Sequence, residues 1–73
     1  MDKPYGTIEA KAALQKPGAT ITWYPDEPAR LSNGGSVNLG IFLILRTREV
    51  VIPAAEQPDD IRERGGVVYV LNQ

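Results

Sequence analysis

Cysteine and histidine are both absent from this chain. Their absence removes disulfides, thiolate nucleophiles, imidazole bases and the nitrogen and sulfur ligands that zinc prefers. A surplus of charge of either sign is missing too: eight basic against nine acidic residues leave a net charge of -1. No whole-molecule field therefore draws the chain to phosphate backbones. Long apolar runs are also lacking, the longest falling far short of the ~20 residues that cross a bilayer. Met1 to Gly6 has no apolar core of a secretory signal. These absences lead to the expectation of a soluble, cytoplasmic protein with no membrane contact, no metal and no cofactor.

What is present is an ordinary globular composition, 42% hydrophobic and 23% charged, over 73 residues. That length makes one domain, residues 1–73, and chains below about 70–80 residues rarely gain more than about 3–5 kcal/mol from a single core. Reinforcement is expected. With disulfides and zinc removed, self-association or a protein partner is the remaining common device.

Thr7 to Lys16 carries both patterns. Ile8, Ala10, Ala12 and Leu14 alternate as in a strand, yet Ala, Glu, Lys, Leu and Gln are helix formers, and propensity favours a helix. Thr7 is its expected N-cap, Glu9 complements the dipole, Pro17-Gly18 ends it, and Ala10, Ala13 and Leu14 form its small apolar face. Ala19 to Tyr24 alternates Ala19, Ile21 and Trp23 with Thr20, Thr22 and Tyr24 and reads as a strand. Pro25 and Pro28 bracket Asp26-Glu27, which ends pairing in a turn or a short extended loop. Residues 29–32 are expected to pair with 36–40 around Asn33-Gly34, through a type I′ turn.

Residues 37 to 45, Val-Asn-Leu-Gly-Ile-Phe-Leu-Ile-Leu, read as a strand that is apolar on both faces. Val37, Leu39, Ile41, Leu43 and Leu45 fall on one side, Phe42 and Ile44 on the other, followed there by Arg46 and Arg48. A chain this short has little left to cover the second face, so another molecule is expected there. The run continues to Ile52 as one long bent strand or, with a turn near Thr47-Arg48, as a second hairpin. A buried helix from Ser36 is disfavoured by Gly40 and by β-branched Val37, Ile41 and Ile44. Pro58, Asp59, Asp60 and Gly65-Gly66 mark a short helix over 58–64, with Asp60 and Arg64 spaced to pair. Val67 to Leu71 closes the chain as a strand.

No motif carries catalysis. Asp26-Glu27 and Asp59-Asp60 are neighbours along the chain, explained by turn and helix-start roles, and lack calcium-loop spacing. Asn33-Gly34-Gly35-Ser36 lacks the lysine of a phosphate-binding loop, and a hairpin turn accounts for it. Trp23 falls on the apolar strand face, which leaves Tyr24 for contact. After Lys16 all further positive charge is arginine, a residue suited to bidentate recognition of carboxylates and enriched at interfaces.

The expected fold is therefore α+β: a short amino-terminal helix on a small antiparallel sheet of three to five strands, with a short helix before the last strand. The expected function is non-enzymatic protein binding, as a homo-oligomer or as an accessory or inhibitor subunit. Its contact residues would be Tyr24, Phe42, Ile44, Arg46, Arg48, Arg62 and Arg64. The alternative is a small nucleic-acid-binding domain using Arg46, Arg48 and the 58–64 helix.

Overall fold

The computed structural model describes residues 6–72. Among them the elements run α1 (Thr7–Leu14), β1 (Ile21–Trp23), β2 (Ala29–Leu31), β3 (Ser36–Val37), α2 (Leu39–Thr47), β4 (Val51–Pro53), α3 (Asp59–Glu63) and β5 (Val67–Leu71). All strand pairs are antiparallel, in the order β3-β2-β1-β5-β4. This is the expected α+β architecture, with the amino-terminal helix, the small sheet and a short helix before the last strand. Helix α2 carries the chain from one edge of the sheet to the other.

Strand alternation decides which side chains meet the helices. The registers Ile21↔Leu31, Ile21↔Tyr69, Ala29↔Val37 and Val51↔Leu71 place these residues on one face. That face holds the core: Ile21, Ala29, Val37, Phe42, Leu45 and Ala10 are fully buried, with Leu14, Leu31, Val51 and Tyr69 nearly so. Trp23, also on it, packs its ring 5.1 Å from that of Phe42, which meets Tyr69 edge-on at 5.2 Å. Helix α1 rests on α2 and β5 through Ala10 and Leu14. Its N-cap is Gly6 and not Thr7, because the Glu9 carboxylate reaches back to accept from the Gly6 N–H at 3.2 Å.

The strand expected over 37–45 does not form, and this is the largest correction. Only Val37 stays in a strand; Asn38 is the N-cap and Leu39 to Leu45 lie in helix α2. Where nearly every residue is apolar, a period of two and a period of 3.6 match equally well, so alternation had nothing to discriminate. Asn38 starts the helix by accepting from the Gly40 N–H at 2.8 Å. Burial of Phe42 and Leu45 on the inner side outweighs the few tenths of a kcal/mol by which each β-branched residue disfavours a helix. The end is a Schellman motif: the Glu49 N–H donates to Arg46 O at 3.1 Å and the Val50 N–H to Leu45 O at 2.9 Å, with Glu49 at φ 57. Neither the long bent strand nor the second hairpin through Thr47-Arg48 exists.

Smaller corrections follow the same logic. The β2–β3 hairpin pairs 29–30 with 36–37, a shorter ladder than 29–32 with 36–40. Its turn is not type I′, because positive φ falls on Gly34 (104°) and not on Asn33. The expected turn after β1 is present: Glu27 N–H donates to Tyr24 O at 3.1 Å, with Pro25 second and Asp26, at φ 69, third. Pro58 caps α3 instead of opening it, and Arg62 pairs with Asp59 at 3.0 Å where Asp60–Arg64 was expected.

Candidate interaction surface

The seven candidate contact residues do not form one patch. As strand neighbours two apart, Arg46 and Arg48 would share a face; on a helix they diverge by about 200°. Arg46 is four residues beyond Phe42, which carries its guanidinium over the Trp23 ring, 5.0 Å from the centroid. The Trp23 Nε1 beneath is buried without a hydrogen-bond partner among the described residues. Arg48 points away from this contact. Phe42 is 0% exposed, covered by the chain's own Trp23 and Tyr69, and is withdrawn from any surface.

What α2 presents outward is the stripe Leu43, Ile44, Thr47 and Arg48, at the i, i+1, i+4, i+5 spacing of one helix side. These four line a shallow hollow of about 240 Å³. Ile44 is 42% exposed there, and Ile8, on α1 of the same helical layer, is 85% exposed. They are the large apolar side chains that the described residues leave most open to water. Ile44 and Arg48 are thus brought together, with Leu43 and Thr47 added by the helical spacing that the strand reading concealed.

Tyr24 and Arg64 meet elsewhere, in an open polar cleft of about 510 Å³ shared with Pro25, Glu27 and Gly65. Tyr24 is half-buried, since its ring lies against Gly66: a Cβ built on Gly66 would stand 2.6 Å from Tyr24 Cε1 and 2.9 Å from Ile61 Cγ2. Glu27 partly cancels the Arg64 charge in this cleft. Arg62 is held by Asp59 beside it.

The sheet edges are short. Strand β3 has two residues, and β4 ends at Pro53, which has no N–H to offer an incoming strand. Past Pro53, Gln57 takes the place of a strand residue: its Oε1 accepts from the Val68 N–H at 2.8 Å and its Nε2 donates to Val68 O at 2.9 Å. Sequence reading missed Gln57, because nothing local marks a side chain that imitates backbone. Among the described residues no three acidic side chains converge, and no helix is long and apolar enough to cross a membrane. No family model, no curated protein and no solved structure matches the chain.

Proposed function

We propose that this chain is a small, non-enzymatic protein-binding module that docks onto another protein through the outer side of α2, as an accessory or inhibitor subunit would. The observation that carries the reading is the hollow of Leu43, Ile44, Thr47 and Arg48, in which Ile44 stays 42% exposed on a helix whose inner side is fully buried. An apolar side chain held open on a rigid helix loses little conformational freedom when covered, so its contact contributes to affinity instead of to ordering. The short edges, one stopped by proline, direct docking to the helical layer and away from strand addition. The cysteine-free composition suits a reducing compartment, and we take the cytoplasm as the setting.

A nucleic-acid role draws less support. Arg46 and Arg48 diverge on the helix, Arg62 is paired with Asp59, and Arg64 shares its cleft with Glu27, so the arginines form no single positive patch for phosphates.

The test is a photo-crosslinker at Thr47 in the full chain, used in extract of the native host. The reading requires a discrete crosslinked protein that excess unlabelled chain displaces. Absence of any displaceable product, alongside a monomer at all concentrations, would remove the reading.

A further inference from the structure

We infer that the α2 hollow takes an acidic amphipathic segment of a different protein, with an apolar anchor against Leu43 and Ile44 and a carboxylate on Arg48. This deepens the docking reading above and rests on it. Within Leu39–Thr47 the helix carries no acidic residue, and its charged side chains there and at the C-cap are Arg46 and Arg48. Arg46 is occupied by the Trp23 ring. Arg48 borders the hollow and makes no ion pair with any described residue, Glu49 included, whose backbone has already turned away at φ 57. The open cation beside an exposed isoleucine therefore selects for negative charge in whatever seats itself there.

The same charges disfavour a second copy as occupant. A twofold contact between two α2 helices lays one outer face on another, and neither helix, Leu39–Thr47, carries an acid to meet the other copy's Arg48.

Two synthetic helical peptides test this on the full chain. Both carry the same apolar residues at i, i+3, i+4 and i+7; one has glutamate and the other lysine at the flanking positions. Binding is read by fluorescence anisotropy and located by amide shifts over residues 43–48. The glutamate peptide is expected to bind about three- to tenfold tighter at low salt, the size of one partly desolvated ion pair at Arg48. Arg48→Gln should level the two peptides and Arg48→Glu should reverse their order; both changes are at an exposed C-cap and leave the core intact. Equal binding of both peptides at Ile44 would overturn the acidic preference and leave docking standing. No shift near Ile44 with either peptide would overturn the docking reading with it. Concentration-dependent dimerisation that shifts the same amides, or a labelled DNA duplex that does so, would also overturn the inference.

Discussion

Helices α2 and α3 close with the same hydrogen-bond pattern, and they differ in which residue makes the turn. At α2 the amides of Glu49 and Val50 return to Arg46 and Leu45 at 3.1 and 2.9 Å; at α3 those of Gly65 and Gly66 return to Arg62 and Ile61 at 3.0 and 2.9 Å. The left-handed residue is Glu49 in one (φ 57) and Gly65 in the other (φ 82). A non-glycine residue there costs roughly 1–2 kcal/mol. Helix α2 tolerates this because Phe42 and Leu45 are fully buried beneath it, whereas α3 buries none of its residues and has no side-chain cap at its start, which leaves the glycine end to hold it. Tertiary packing holds the first helix and local chemistry holds the second.

Removing the packing should have the largest effect. Phe42→Ala is expected to cost about 3–5 kcal/mol, much of the roughly 4–11 kcal/mol that a chain of this length has in all, and to abolish the cooperative transition in a thermal melt. Next comes the floor beneath Tyr24. Gly66→Ala brings a Cβ to within 2.6 Å of that ring and should cost about 1–3 kcal/mol in urea unfolding, with most of it recovered in the Tyr24→Leu background. Gly65→Ala has open space around it and strains only the backbone, so about 1 kcal/mol should be lost. The mirror change sharpens the comparison: Glu49→Gly should stabilise by up to about 1 kcal/mol, visible as a higher urea midpoint at unchanged slope. A loss on Glu49→Gly would mean that the two helix ends are not equivalent.

The same contrast explains what could be read from sequence. Helix α3 and its end were legible because Pro58, Asp59, Asp60 and Gly65 are written in the residue types that caps favour. Strand β1, with the aromatic Trp23 on its apolar face, was legible by alternation, and α1 by propensity. Helix α2 was not, because Ile41 to Leu45 is apolar at every position and its terminus carries glutamate where glycine would have announced a stop. The same ambiguity reaches the surface. Read as a strand, the run turns Phe42 outward and sets Arg46 beside Arg48, while Ile44 and Arg48 are neighbours either way, since i and i+4 share a face in both geometries. Gln57 lay beyond reach, as its partner Val68 is eleven residues away.

Helix α2 separates an inner side that holds the fold from an outer side proposed to bind. Unlabelled Ile44→Gln chain, used as competitor against the Thr47 crosslink, tests that separation most directly. The substitution should shift the melting midpoint by no more than about 2–4 °C, as a surface change of up to about 0.5 kcal/mol would, yet fail to displace the crosslinked protein. An Ile44→Gln chain that is equally folded and competes as well as the unaltered one would contradict the account.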